Sequence, residues 1–526
     1  MGSVLSFDTD VLVIGGGMAG AWAALGAARA GAQVVLVDKG FCGTSGVTAT
    51  AGPGHWWVPP EQRQAAVAQR AQAGLGLADT GWMLRILDTT WRHLPTIASH
   101  YRFGVDGQGN TVYRAVRGPE YMRALRALVE AAGVRVLDHH PALELLRHDD
   151  GSVAGAAGLQ RRGGRPWSAR AGAVVLASGG CAFLSKLLGA DNNTGDGLLM
   201  AAEVGADLSG MEFTNGYTVA PAHSSMTRAM SYVFARYFDA QGRELDISPG
   251  ANNSIDLARA LQQGPVFCSL ERMPPDVRAW LPTISPNVLP AFARVGIDPF
   301  RDRFPIALRA EGTVRGIGGL DVRSSDCETG VPNLFVAGDV ASRERVAGAI
   351  SGGGNINSAW ALSSGLWAGQ GAARRAHEGG RRLRGAVSAA GQAGLRPHKE
   401  ATMVAADAAA TLARLQRPML DPALNLFRTG AALAQSGERL DSDWARWCKH
   451  AGGPGPLALR QRETAALLAT ARWCVASALA RTESRGMHLR CDLPDTLPHL
   501  AHAIRVGGLD QIWTHTPETQ PETTAA

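Results

Sequence analysis

The first forty residues alternate between short apolar runs and a glycine-rich turn. Residues 11–14 are continuously apolar, as expected for a strand that is buried on both faces of a parallel sheet. An alanine-rich segment at residues 21–30 predicts a helix that ends at Gly31, and Val34–Val37 predicts a second strand. Residues 8–38 are therefore predicted to form a strand–turn–helix–strand unit.

The hydrophobic pattern changes further along the chain. Helical spacing dominates residues 60–145, and three short strand-like runs within residues 153–176 predict an antiparallel meander. Residues 211–310 are rich in proline and irregular in period, which indicates an inserted domain. Helical spacing returns with candidate helices at residues 398–414 and 457–481.

Composition narrows the class of protein. The chain has 526 residues and a formal net charge of +6, with no block of lysine or arginine that would predict binding to nucleic acid. Its seven cysteines stand far apart, without the spacing of a zinc or iron–sulfur site, so we predict no metal. The apolar run at residues 11–14 is too short for the hydrophobic region of a signal peptide, and the sequence has no run of about twenty apolar residues, so neither a signal peptide nor a membrane span is expected. A cytoplasmic protein without a membrane span is expected.

The glycine turn after the first strand carries a dinucleotide fingerprint. Residues 15–20 satisfy the pattern GxGxxG: Gly15 allows the tight turn, Gly17 lets a pyrophosphate approach the helix N-terminus, and Gly20 allows close packing. Asp38 ends the second strand, where a carboxylate accepts hydrogen bonds from a ribose. The contacts predicted from this unit are Gly15, Gly17, Met18, Ala19, Gly20, Asp38 and Lys39.

Two later glycine turns and a helix start favour FAD over NAD. An apolar run leads into residues 177–180, and another ends in Gly338 and Asp339, where an acidic side chain suits the ribitol of a flavin. Residues 352–355 open a predicted helix whose free N–H groups would face the flavin edge. These segments add Ala177, Ser178, Gly179, Gly338, Asp339 and Asn355 to the predicted cofactor contacts.

Taken together, the motifs resemble the fumarate reductase/succinate dehydrogenase flavoprotein family, which includes L-aspartate oxidase and the adenylylsulfate reductase flavoprotein subunit. The resemblance spans most of the chain and adds residues 45–46, 194–197, 211–213, 318–319 and 481–490 to the turns above. It implies hydride transfer at FAD N5, and it implies cofactor contacts at Ser45, Gly46 and Asp196. Members that attach FAD covalently carry histidine where this chain has Gly46, so non-covalent FAD is expected.

The chain departs from the family at three positions that handle dicarboxylates. A proton-donating arginine, a histidine before the Gly-Gly pair and a substrate-binding arginine align with Ser254, Val314 and Gly353. None of these side chains neutralises a carboxylate, and none is a competent acid near neutral pH. The resemblance therefore implies a substrate other than fumarate or succinate.

Two residues are candidates for catalysis. His55 lies in the loop that the family places over the flavin, either as an acid/base or as a packed loop histidine. Arg315 could bind an anionic substrate or stabilise a reduced flavin anion, or it could be a solvated arginine at the end of a strand. Arg343 and Arg345 could reach the pyrophosphate or the substrate, or form a salt-bridged surface. Weaker candidates, for which a structural role is favoured, are Glu212, His223, Arg228, Arg236, Tyr237, Arg485 and His488.

The sequence thus predicts an α/β fold: a Rossmann-like FAD-binding domain (1–210 and 311–375) with an inserted α+β capping domain (211–310). A helical domain (376–512) and a disordered tail (513–526) follow. The predicted function is an FAD-dependent oxidoreductase for a small polar or anionic substrate. Two alternatives stay open: the flavoprotein subunit of a complex with a separate iron–sulfur protein, and a non-catalytic flavin-binding protein.

Overall fold

The computed structural model describes residues 4–226, 230–247, 253–284, 286–379, 385–396, 405–452 and 455–516. The strands are β1 (Leu5–Ile14), β2 (Val34–Val37), β3 (Gly104–Val105), β4 (Thr111–Val112), β5 (Arg135–Leu137), β6 (Ala142–Arg147), β7 (Val153–Leu159), β8 (Pro166–Leu176), β9 (Leu208–Ser209), β10 (Tyr217–Pro221), β11 (Arg236–Phe238), β12 (Glu244–Leu245), β13 (Phe267–Ser269), β14 (Phe304–Ala310), β15 (Gly319–Leu320), β16 (Leu334–Val336), β17 (Ser388–Ala389), β18 (Arg505–Gly507) and β19 (Trp513–His515).

Several helices pack against these strands, and others make up most of the C-terminal part of the chain. They are α1 (Met18–Arg29), α2 (Arg63–Ala73), α3 (Thr80–His93), α4 (Gly118–Ala131), α5 (Asp196–Glu203), α6 (Asn253–Gln263), α7 (Pro275–Ile284), α8 (Val288–Ala293), α9 (Gly312–Arg315), α10 (Glu344–Ala347), α11 (Gly353–Glu378), α12 (Ala405–Leu420), α13 (Pro422–Asn425), α14 (Gly430–His450) and α15 (Pro456–Ala480). Among the described residues, no helix is long and apolar enough to cross a membrane.

The main sheet has the strand order β17-β6-β7-β8-β1-β2-β5, and β16 also pairs with β8. Strands β5, β2, β1, β8 and β16 run parallel. The last four residues of β1, all apolar, are buried, as the continuous apolar run predicts. Helices α1 and α11 pack against each other and against this sheet. The predicted Rossmann-like α/β fold is confirmed.

The antiparallel meander differs in detail from the prediction. Only two strands, β7 and β8, lie within residues 153–176, and β6 upstream supplies the third. β8 is a single 11-residue strand whose burial alternates at first and is complete over its last four residues. One edge of β8 pairs with β1 along nearly its whole length, whereas the other edge pairs first with β7 and then with β16. The change of pattern therefore marks a change of neighbour and not a break in the strand.

The proline-rich segment folds around a second sheet. Its strands have the order β10-β14-β13-β11-β12, all antiparallel, and helices α6, α7 and α8 accompany them. Buried side chains of this unit, among them Tyr237, Phe292 and Phe304, form a hydrophobic core of their own. This agrees with the predicted α+β character of the inserted capping domain.

The C-terminal part is mainly helical, as predicted, but its details differ. Helices α12 and α15 correspond to the two candidate helices, and residues 397–404 lie outside the described residues. Helix α14 between them was not predicted. Strand β19 pairs with β18 inside the segment predicted to be a disordered tail, so that prediction is wrong for residues 513–515. Residues 517–526 lie outside the described residues, and the domain limits themselves stay predictions.

Candidate functional site

A deep cleft lies at the carboxyl ends of the parallel strands β1, β8 and β16, where ligands bind in open α/β sheets. Its volume, including open solvent at the mouth, is about 1390 Å³. The predicted cofactor residues that line it are Gly15, Gly17, Met18, Ala19, Asp38, Lys39, Ser45, Gly46, Ala177, Ser178, Gly179, Asp196, Gly338 and Asp339.

The three fingerprint glycines have different surroundings. Gly15 has a φ of +113°, and a Cβ atom there would lie 2.3 Å from the Ala177 carbonyl oxygen. A Cβ atom on Gly20 would lie 1.8 Å from the Gly15 carbonyl oxygen, so Gly20 serves helix packing and does not line the cleft. A Cβ atom on Gly17 would meet no protein atom within 4 Å, because this position faces the cleft at the start of α1. The turn therefore leaves open the space that a pyrophosphate needs.

Asp38 lies at one end of the cleft. Its side chain is buried, and burial raises the pKa of its carboxyl although Ser45 and the backbone of Gly16 and Gly40 donate hydrogen bonds to it. Its Oδ2 atom has no hydrogen-bond partner among the described residues. A buried carboxylate oxygen without a donor carries a free-energy penalty, which ribose hydroxyl groups would relieve.

Lys39 joins the cleft to the helical part of the chain. Its ammonium lies 2.8 Å from Asp196 Oδ2 and 2.6 Å from Glu463 Oε1 on α15, and it donates to Thr194 Oγ1 at 2.9 Å. Burial lowers the pKa of Lys39, but the charges of Asp196 and Glu463 outweigh that effect and leave the pKa raised. The ammonium is therefore engaged by protein carboxylates before any phosphate arrives.

The other end of the cleft is built from the first turns of α11. Gly354, Asn357 and Ser358 line it, whereas Asn355 does not; its backbone carbonyl instead accepts a hydrogen bond from the N–H of Trp56 at 3.1 Å. A contact of Asn355 with the cofactor stays a prediction. Residues on one helix face recur every three to four positions, and that spacing from Gly354 would have indicated Asn357 and Ser358.

Two more polar atoms along the cleft have no partner among the described residues. They are Ser178 Oγ, after strand β8, and Asn357 Oδ1, in α11. With Asp38 Oδ2 they mark positions on three separate segments of the cleft wall. A long polar ligand that touches all three segments would satisfy them, so these residues fit an extended FAD.

His55 is not part of the cleft lining. Its ring is packed edge-on against Tyr121 at 5.5 Å between centroids, and Nε2 lies 3.5 Å from the Tyr121 hydroxyl, which accepts a hydrogen bond from Trp22 at 2.9 Å. Burial lowers the pKa of His55 to about 3, so the imidazole is neutral near pH 7. The structure packs His55 beside Tyr121, outside the residues that line the cleft, and a catalytic role for His55 stays a prediction.

Arg315 lies in the cleft wall next to Val314. Its side chain is 29% exposed, and its Nε lies 3.7 Å from Glu311 Oε1. One reading of the sequence placed Arg315 at the end of a strand, whereas in the structure it is the last residue of the short helix α9.

Three positions depart from the family. Val314 lines the cleft, Gly353 adjoins it at the start of α11, and Ser254 lies in the first turn of α6.

Apart from Arg343, which contacts Asp339 and Val314 in the cleft wall, the remaining candidates that the structure describes contact other parts of the protein. Glu212 accepts from Arg481 at 2.8 Å and from Ser477 at 2.7 Å in a buried charge network. Arg236 pairs with Glu244 and Glu271. The remaining contacts are His223 against Phe292, Tyr237 in the capping core, Arg485 with Glu483, His488 with Arg428 and Arg345 near Trp82. Arg228 lies outside the described residues.

Comparisons with known proteins agree with this geometry. The family model described as FAD dependent oxidoreductase matches residues 10–257, and the model described as Fumarate reductase flavoprotein C-term matches residues 413–516. L-aspartate oxidase of Mycobacterium leprae (strain TN) is 30% identical over 94% of both chains. A fumarate reductase (CoM/CoB) chain of Methanothermobacter marburgensis is 25% identical over 95% of this chain and 97% of its own.

Solved structures share the fold across the whole chain. E. coli quinol fumarate reductase FrdA superposes with a TM-score of 0.79 at 20% identity, over 99% of both chains. Adenosine-5-phosphosulfate reductase in complex with sulfite superposes with a TM-score of 0.74 at 17% identity, over 97% of this chain and 96% of its own. At these identities the likeness concerns the fold alone.

Proposed function

Because the chain belongs to the fumarate reductase/succinate dehydrogenase flavoprotein family of FAD-dependent oxidoreductases, we propose that it oxidises or reduces a small substrate carrying one anionic group. FAD, when bound, accepts or returns a hydride at N5. The residues of this chain hold the cofactor, orient the substrate and keep water away. The observation that carries the proposal is the position of Arg315 in the cleft wall.

Charge in the cleft supports a monoanion over a dicarboxylate. Among the described residues that line the cleft, Arg315 is the only arginine, and Lys39 is already paired with two carboxylates. A second carboxylate would enter a wall without a free cation, and an unpaired buried charge is costly. Val314 at the family's histidine position adds an apolar surface there.

The residues around the cofactor favour non-covalent binding. Ser45 and Gly46 line the cleft, and the backbone of Gly46 has a φ of +78°, which suits glycine. A glycine carries no imidazole to form a bond with a flavin. Asp38, Ser178 and Asn357 would instead hold FAD through hydrogen bonds.

Anaerobic mixing of the photoreduced holoprotein with candidate oxidised substrates tests this proposal. We expect monoanionic 2-oxo or unsaturated acids to reoxidise FAD faster than fumarate does. Arg315→Gln should lower kcat/KM by roughly 100-fold, because the lost interaction with a buried charge is worth about 3 kcal/mol. Arg243→Gln, at a side chain that is 78% exposed in the capping domain, is the matched control. Fastest reoxidation by fumarate, or equal rates for Arg315→Gln and wild type, would overturn the proposal.

A complex with an iron–sulfur protein is the second candidate. An aromatic cluster that begins four residues after the cleft-lining Pro53 favours this candidate. The ring of Trp57 stacks on that of Trp91 with 4.3 Å between centroids, and its centroid lies 4.9 Å from that of Tyr113. All three residues are half-buried. Such amphipathic rings are enriched at protein interfaces. Faster reoxidation of the reduced holoprotein by a ferredoxin-type protein than by O2 or a quinone would support it. If no acceptor of any kind reoxidised FAD, the non-catalytic alternative would stand.

A further inference from the structure

The Arg343 side chain is fully buried, and oxygen atoms surround its guanidinium. Nη1 donates to Asp339 Oδ1, and Nη2 donates to the backbone carbonyls of Thr313 at 3.0 Å, Val314 at 3.1 Å and Gly316. Arginine stays protonated in proteins, so a full positive charge lies between a carboxylate and three carbonyl dipoles.

These contacts connect two walls of the cleft. Val314 and Arg315 form part of one wall, at the end of α9, and Gly338 and Asp339 form part of another, after β16. One side chain therefore determines how the Arg315 segment lies relative to the Asp339 turn. Carbonyls that converge on one point repel each other without a cation between them, so this arrangement needs the guanidinium.

The charge of Arg343 also affects the pairing of Arg315. Asp339 and Arg315 line the same cleft, where a carboxylate and a guanidinium attract each other. Arg343 neutralises Asp339 and, with the same charge sign, repels Arg315. The Arg315 guanidinium is left with Glu311, whose Oε1 lies 3.7 Å from its Nε, beyond hydrogen-bond length.

We propose that Arg343 is a positioning residue for the substrate anion: it fixes the backbone at residues 313–316 and engages Asp339, so that Arg315 stays directed at the cleft and available to an anion. This inference rests on the proposed function, because it assigns Arg315 to the substrate. Arg343 itself touches no substrate.

The test uses holoprotein and sodium propionate as the anionic probe, with binding followed through the FAD absorption spectrum. Arg343→Ala should raise the propionate Kd by about tenfold or more, because a displaced guanidinium loses charge-assisted hydrogen bonds. Added guanidinium chloride should lower that Kd again by refilling the space between the carbonyls, whereas the same concentration of sodium chloride should not. Arg345→Ala is the matched control, two residues away and exposed, and its Kd should equal that of wild type.

A merely structural role gives different results. In that case Arg343→Ala would lose FAD or thermal stability, but its propionate Kd per FAD-loaded chain would stay at the wild-type value. Added guanidinium would then change neither the FAD content nor the Kd. This set of results would overturn the inference. If Arg343→Ala does not fold, Arg343→Lys serves instead, because lysine keeps the positive charge but lacks the planar guanidinium that donates several hydrogen bonds at once. An unchanged Kd in Arg343→Lys overturns the inference, and a Kd raised by about threefold or more with normal FAD content supports it.

Two further measurements separate this inference from the proposed function. If Arg315→Gln leaves the propionate Kd unchanged, the proposed function fails. If Arg315→Gln raises the Kd but Arg343→Ala does not, only the role of Arg343 fails. Amide hydrogen exchange of residues 312–317 needs no anion: it should be faster in Arg343→Ala and slow again with guanidinium, and unchanged exchange would contradict the claim that Arg343 fixes this backbone.

Discussion

Gly17 separates the folding role of the glycine turn from its role in cofactor binding. A methyl group at Gly17 meets no protein atom within 4 Å, whereas one at Gly20 lies 1.8 Å from a carbonyl oxygen. We therefore expect Gly17→Ala to fold with an unchanged melting temperature but to bind FAD roughly 10- to 100-fold more weakly, a loss of about 1.4–2.8 kcal/mol. Gly20→Ala should lower the melting temperature. Titration of apoprotein with FAD and thermal melts measure both effects, and normal FAD affinity in Gly17→Ala would place the pyrophosphate elsewhere.

His55 gives the molecule a dependence of stability on pH. Burial lowers its pKa to about 3, so the folded chain stays neutral at His55 while the unfolded chain takes up a proton below about pH 6.5. As the pH falls from 6.5 towards 3, protonation of His55 in the unfolded chain therefore lowers the free energy of unfolding. Between pH 6.5 and 5 the free energy of unfolding of wild type should fall by about 2 kcal/mol for this reason, and His55→Gln should not show this loss.

Urea unfolding at several pH values measures this difference. The exposed His515 supplies the control, since His515→Gln should keep the wild-type pH dependence. Identical pH dependence of wild type and His55→Gln would mean that His55 is not buried in the folded chain.

At the scale of elements, Lys39 connects the end of β2 to α5 and α15. Its ammonium pairs with Asp196 and Glu463, and all three side chains are at most 25% exposed. Lys39→Gln leaves two carboxylates without their cation, so the free energy of unfolding should fall by about 3 kcal/mol. Lys449→Gln, at an exposed position near the end of α14, should have little effect. Equal denaturation midpoints for the two variants would show that this contact between helix and sheet contributes nothing.

The sequence predicted elements best where a local rule determines them. The apolar run before Gly15 and the alanine-rich segment after it specify β1 and α1, and both form. The same rule failed at residues 153–176, because alternating and continuous burial follow one another within β8 as its neighbours change. Helix α14 was missed although its apolar positions, such as Leu433, Leu440, Trp444 and Trp447, are spaced for one buried face.

At the scale of the whole molecule, the cleft is assembled from segments that lie up to about 350 residues apart. Their order in the sequence predicted that they meet, and most of the predicted contacts line one cleft. Two positions could not be predicted, because side-chain direction in a loop or first helical turn depends on tertiary packing. His55 turns towards Tyr121, and Asn355 uses its carbonyl to hold Trp56. The hydrogen bonds from Arg343 to the backbone carbonyls of Thr313 and Val314 in α9 also have no local signal.

The central claim is that one FAD lies non-covalently along this cleft. The most direct measurement is the flavin content of purified protein before and after acid precipitation, read by absorbance. We predict about one FAD per chain, released quantitatively into the supernatant, because Gly46 offers no side chain for a covalent bond. A yellow pellet would contradict non-covalent binding, and protein that stays colourless after incubation with FAD would contradict the site itself.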